Sequence, residues 1–140
     1  GCYSTSPQFQ TELNELLTYT DLILLDLKHM NRKKHISLTG MGNDHILQFA
    51  KLLSDKQIPI WIRHVLVPTI SDIDEDLHEL GDFITTLQNV KKIEILPYHK
   101  LGVYKWEALE LEYPLADIEP PSQDRVKNAY EILSKQVVFA

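Results

Sequence analysis

The sequence predicts an α/β fold in which about three parallel strands alternate with helices. Short apolar runs within Asp21–Asn31, over Ile58–Val67 and over Lys92–Tyr98 have strand length and end at polar or turn residues. The segments between them repeat their apolar residues at helical spacing. Alternation of strand and helix is the pattern of a parallel sheet with right-handed crossovers.

The elements follow in order. Ser6-Pro7 reads as a cap residue followed by proline at the first helical position. Phe9, Leu13, Leu16 and Leu17 then predict a helix over about 7–18. In the first strand, side chains two apart share a face. Leu22, Leu24, Asp26 and Lys28 fall on one side, and Ile23, Leu25 and Leu27 on the other. The polar, basic stretch Asn31–Ser37 allows a short helix. Thr39-Gly40-Met41-Gly42 reads as a flexible break with two glycines free to take positive φ. Asn43 is placed to cap the next helix, whose inner face carries Ile46, Leu47, Phe49, Ala50 and Leu53.

The second strand is almost continuously apolar, as in a strand covered on both faces. Pro59 belongs near its start, and Pro68 stops it. Ser71 or Asp72 is placed to cap a helix over about 73–88, with Asp74, Glu75 and Asp76 in its first turn, where the helix dipole favours acids. The third strand is followed by a short helix from Val103 to about Leu109, an extended proline-rich stretch from Glu112 to Pro121, and a last helix capped by Ser122. Val137-Val138-Phe139 allows a short terminal strand.

The 140 residues suit one domain over 1–140, and 44% hydrophobic content suffices for an ordinary core. One cysteine, Cys2, excludes an intramolecular disulfide and a cysteine metal cluster built from this chain, and fits a cytoplasmic setting. No stretch approaches the roughly 20 apolar residues of a membrane span. A net charge of −6 without a long basic run argues against nonspecific nucleic-acid binding. Three strands leave two unprotected edges, so such a sheet usually belongs to something larger. The abrupt start at Gly1 points the same way.

The polar residues at the strand ends are the candidate site. Asp26 and Lys28 end the first strand, Arg63 and His64 lie near the end of the second, and His99 follows the third. In parallel α/β folds ligands bind at the C-terminal strand ends. One carboxylate, two cations and two imidazoles suit an anionic or zwitterionic ligand. Residue types alone leave a second reading open, that Asp26 and Lys28 form a half-exposed ion pair of little worth. Arg63 is harder to dismiss, because a guanidinium in an apolar strand needs a partner. Neighbours alternate in a strand, so either Arg63 or His64 faces the helices; Arg63 is expected to face the site. Tyr98 and Trp61 read as packing residues.

Three motifs carry a resemblance. Leu25-Asp26-Leu27-Lys28-His29-Met30-Asn31, then Trp61-Ile62-Arg63 with Val67-Pro68, then the run from Ile95-Leu96-Pro97-Tyr98-His99 to Trp106, resemble the family of pyruvate formate-lyase activating enzymes. Leu109–Pro121, with Glu112-Tyr113 and Pro120-Pro121, resembles the tail of those proteins. The resemblance runs from about Leu13 onward, with the motifs in the family's order and spacing. It implies a partial (β/α)6 barrel of the radical S-adenosylmethionine class. In that family a [4Fe–4S] cluster reductively cleaves S-adenosylmethionine, with a reductant such as flavodoxin. The resulting radical takes a hydrogen atom from a glycine of pyruvate formate-lyase. By resemblance, Asp26, Lys28 and His99 match positions that contact S-adenosylmethionine, and Arg63 matches an arginine near the ligand and the substrate glycine loop. None would be a general acid or base, since the cofactors carry the chemistry.

The resemblance also has a gap. The family's Cys-x3-Cys-x2-Cys motif and its glycine-rich segment have no counterpart in this chain. Ser4 and Thr5 stand near where the family has an acidic residue of a monovalent-cation site, so that site does not transfer. The expectation is therefore the C-terminal half of an activase, a half barrel unable on its own to hold the cluster or perform the reaction. Its exposed strand edges predict self-association. Two other readings remain. One is a barrel lyase or aldolase using Lys28 as a Schiff-base lysine, although an acid beside it works against a free amine. The other is a noncatalytic assembly module.

Overall fold

The computed structural model describes residues 3–136. Within them the order is α1 (Pro7–Thr18), β1 (Ile23–Asp26), α2 (Arg32–Thr39), α3 (Asp44–Asp55), β2 (Ile60–Leu66), α4 (Asp74–Thr85), β3 (Val90–Pro97), α5 (Val103–Ala108) and α6 (Gln123–Gln136). The strands form one parallel sheet in the order β1-β2-β3. Parallel neighbours need a long return, and helices supply it here. The predicted α/β alternation is thus the observed one. Cys2 and the terminal strand expected at Val137–Phe139 lie outside the described residues. No helix among those described is long and apolar enough to cross a membrane.

The core lies on one face of the sheet. Leu25 and Leu27 from β1 and its continuation, Ile60, Ile62 and Leu66 from β2, and Ile93 and Ile95 from β3 point into it. Leu13 and Leu17 of α1, Ala50 and Leu53 of α3, Leu77, Leu80 and Ile84 of α4, and Ala129 and Leu133 of α6 close over them. Burial of each large side chain contributes about 1.5–3 kcal/mol. Among the described residues the opposite face is only partly covered, which corrects the expectation for β2. Along β2 burial alternates strictly: Ile60, Ile62, His64 and Leu66 are buried, whereas Trp61, Arg63 and Val65 are partly open. The strand reads as continuously apolar because Trp61 and Val65 line the open face.

Local chemistry explains the element ends, with three corrections. Asn31 caps α2 as Oδ1 accepts from the Lys33 and Lys34 N–H groups. Gly40 ends that helix at φ 77°, a left-handed conformation that favours glycine. Gly42 does not take positive φ as expected. Its smallness has another use, since a Cβ there would lie 2.8 Å from Asp44 Oδ2 and 3.2 Å from Arg32 Nε, where those two side chains pair. Asn43 makes no capping hydrogen bond to α3. Neither Ser71 nor Asp72 caps α4, which starts after Ile73. Ser71 Oγ instead donates to Val65 O at 2.7 Å and accepts from Val67 N at 3.0 Å, while Asp72 Oδ1 accepts from Thr69 N at 2.7 Å. These bonds tie the turn back onto β2, and the acidic first turn serves the α4 terminus.

Candidate functional site

Parallel register builds the site from rungs across the open face. Asp26 of β1 stands opposite Arg63 of β2, and Arg63 opposite Glu94 of β3. One rung toward the N-terminal strand ends, Leu24, Trp61 and Lys92 are aligned in the same way. The side chains complete the pattern. Arg63 Nε donates to Asp26 Oδ1 at 2.8 Å, and Lys28 Nζ lies 3.4 Å from Asp26 Oδ2. Lys92 pairs with Glu94, and its ammonium sits 4.6 Å from the centroid of the Trp61 ring.

The structure therefore brings Asp26, Lys28 and Arg63 into contact. His99 stands apart. It follows β3 past the buried Tyr98, is exposed, and takes the Leu101 N–H on Nδ1 at 3.4 Å. Among the described residues no hydrogen bond or ion pair joins it to the other three. His64 faces the helices, buried, with Nδ1 2.9 Å from Leu27 O and Nε2 2.9 Å from Ser71 O. Arg63 consequently takes the open side.

The Asp26–Arg63 pair is a third open to solvent, with side-chain exposures of 35% and 33%. Screening limits such a pair to about 1 kcal/mol or less. Arg63 is held through Nε, an edge contact that leaves its terminal nitrogens to serve another acceptor. A cavity of about 430 Å³ opens on the other side of Lys28, walled by Tyr3, Phe9, Phe49, His35 and His45. It touches the cluster at Lys28 alone, so the charged rung lies on the sheet surface and not inside that cavity.

The turn that carries Lys28 is supported from beneath. His29 is buried; its Nδ1 accepts from Asn31 N at 3.0 Å, so Nε2 carries the proton facing Asp76 Oδ2 at 3.2 Å. Burial lowers the His29 pKa below its usual 6.5, and the Asp76 carboxylate opposes this without reversing it. Lys34 Nζ also holds Asp76, at 2.6 Å. Near the end of β3, burial and the Tyr113 hydroxyl at 2.9 Å push Tyr98 up to about 12, so it remains a neutral phenol that anchors the following segment through Leu115 O.

Sequence reasoning missed Glu94 and Asn43. The alternation Lys92-Ile93-Glu94-Ile95 was the available signal for Glu94, since it puts two charges on one strand face. Nothing local marks the fold-back of Asn43. As a donor set, Lys28 and Arg63 fit a carboxylate, and Asp26 and Glu94 fit ammonium or hydroxyl groups. A three-cysteine iron–sulfur cluster does not fit this chain, which has one cysteine. Among the described residues no group of three or more His, Cys, Asp or Glu side chains could hold a metal ion.

Comparison with known proteins gives the geometry its context. No protein-family profile matches the chain. A pyruvate formate-lyase-activating enzyme of Staphylococcus epidermidis is 55% identical over 134 residues, covering 96% of the chain and 53% of the relative. That of Staphylococcus aureus is 54% identical over the same span. The chain thus spans about half the length of these relatives. Among solved structures, a domain of a pyruvate-formate lyase-activating enzyme from Bacteroides vulgatus superposes with a TM-score of 0.75 at 20% identity, covering 96% of this chain and 73% of that one. A radical SAM methyltransferase from Sphaerobacter thermophilus superposes with a TM-score of 0.61 at 18% identity, covering 84% of this chain and 32% of that one. At these identities the structural matches speak to the fold alone, a parallel α/β sheet shared with both of those chains. The chain is a relative of the pyruvate formate-lyase-activating enzymes and corresponds to about half of one.

Proposed function

We propose that residues 1–140 form one domain, the C-terminal half of an activase that installs a glycyl radical on pyruvate formate-lyase. The open sheet face supplies one wall of its S-adenosylmethionine site. The observation that carries this reading is the contact of Asp26 with both Lys28 and Arg63 at the C-terminal end of a parallel sheet. Lys28 and the free edge of Arg63 receive the methionyl carboxylate, Asp26 accepts from hydroxyl or ammonium groups, and His99 borders the ligand from the segment after β3.

These residues bind and orient. When bound with an iron–sulfur cluster held by the rest of the protein, S-adenosylmethionine supplies the radical chemistry. A reductant such as flavodoxin feeds electrons to the parent protein in an anaerobic cytoplasm. The fragment alone is inactive, for want of the cysteines.

The test uses the full-length protein, anaerobically, with pyruvate formate-lyase, S-adenosylmethionine and a reductant. A glycyl-radical signal by electron paramagnetic resonance is expected. Lys28→Met and Arg63→Met each weaken S-adenosylmethionine binding about tenfold in calorimetry, consistent with loss of a charge-assisted contact. Absence of the signal overturns the activase reading. Unchanged binding by both variants removes the site assignment.

A further inference from the structure

We propose that Asn43 is a positioning residue for Lys28, an inference that rests on the reading of Lys28 as part of the ligand wall. Asn43 sits in front of α3, only 3% exposed, with φ −90° and ψ −1°. The position is one where asparagine ordinarily caps a helix, yet its side chain makes no such bond. Nδ2 instead reaches back 14 residues to His29 O at 3.1 Å, and also donates to Met30 O. Both amide hydrogens are thereby committed to two consecutive carbonyls of the turn that follows β1.

Those carbonyls belong to the two residues directly after Lys28. The residue directly before it is held as well, by β2. Leu27 N donates to Arg63 O at 3.0 Å, and Leu27 O faces His64 Nδ1 at 2.9 Å. The main chain at Lys28 is therefore bracketed, with β2 on one side and Asn43 on the other. The bracket leaves only the flexible stem of Lys28 to adjust its ammonium over Asp26. Without the amide, two largely buried carbonyls lose their donor and the turn must move to regain one. A displacement of about 1 Å is enough to spoil a charge-assisted contact.

Asn43→Asp tests the role, because it keeps the size and replaces the donor by an acceptor facing two carbonyls. Calorimetric titration of the full-length protein with S-adenosylmethionine is expected to show about tenfold weaker binding. In a Lys28→Met background the same substitution changes affinity less than about twofold, because the residue acts through Lys28. Should Asn43→Asp not fold, Asn43→Ser, which retains a hydroxyl donor, is expected to give a smaller loss that also disappears with Lys28→Met. Unaltered binding, or equal losses with and without Lys28, overturns the proposal and leaves Asn43 a fold residue. If the unsubstituted protein takes no S-adenosylmethionine, the functional reading fails and this role with it. If it binds and the Asn43 variants bind equally well, only this role fails.

Discussion

His29 and His64 show how little a residue type says until its surroundings are known. Both are buried, and both hold main-chain or acidic partners. For His29 the consequence is measurable. Its folded pKa lies below the unfolded 6.5, chiefly through burial. Below about pH 6.5 the unfolded chain therefore binds more protons, and stability falls as pH falls. The contribution is complete above 6.5 and is lost as pH drops through the folded value. Urea midpoints measured between about pH 7.5 and pH 5 should decline in the unsubstituted chain, and His29→Gln should decline less. Period-two alternation puts Arg63 and His64 on opposite faces of β2, but only the structure decides which of them faces the helices. Asp26 and Lys28 were legible through the same alternation. Glu94 gains meaning only from the β2–β3 register, and Asn43 only from a fold-back across 14 residues, which no local pattern encodes.

At the level of elements, periodicity was the reliable guide and capping a mixed one: Ser122 does accept from Arg125 N at the start of α6, at 3.2 Å, but three other candidates do not cap. The α1 span matches Pro7–Thr18, because a proline and a clean apolar stripe mark it. Asn43, Ser71 and Asp72 are good cap types that serve other partners, since nearby carbonyls and amides in the tertiary fold compete for the same short side chains. The turn after β2 also contains strain. Thr69 sits at φ 66°, where a β-branched side chain is disfavoured. It is kept there by the Thr69 N–Asp72 Oδ1 bond. Thr69→Gly relieves the clash and preserves that bond. It should raise stability by about 1 kcal/mol, seen as a melting temperature higher by a few degrees in calorimetry. A lower melting temperature would show that the turn holds Thr69 without cost.

For the molecule as a whole, the fold class was readable and its one-sidedness was not. Continuous apolar character in β2 looks the same whether both faces are covered or one face is lined by Trp61 and Val65. Leu24 and Leu96 stand exposed on that face, and among the described residues β1 and β3 are the two edges of the sheet. Uncovered strand edges pair with other chains. The isolated 140-residue chain should therefore self-associate, with sedimentation velocity giving a mean mass that rises with concentration. A single monomeric boundary at high concentration would refute this. The same openness gives the Asp26–Arg63 rung the character of a detachable latch. Sealed in a core, the pair would resist separation by about 3–5 kcal/mol and would plug the sheet. Screened by water it yields for about 1 kcal/mol or less, so the guanidinium can swing off Asp26 and return at little cost.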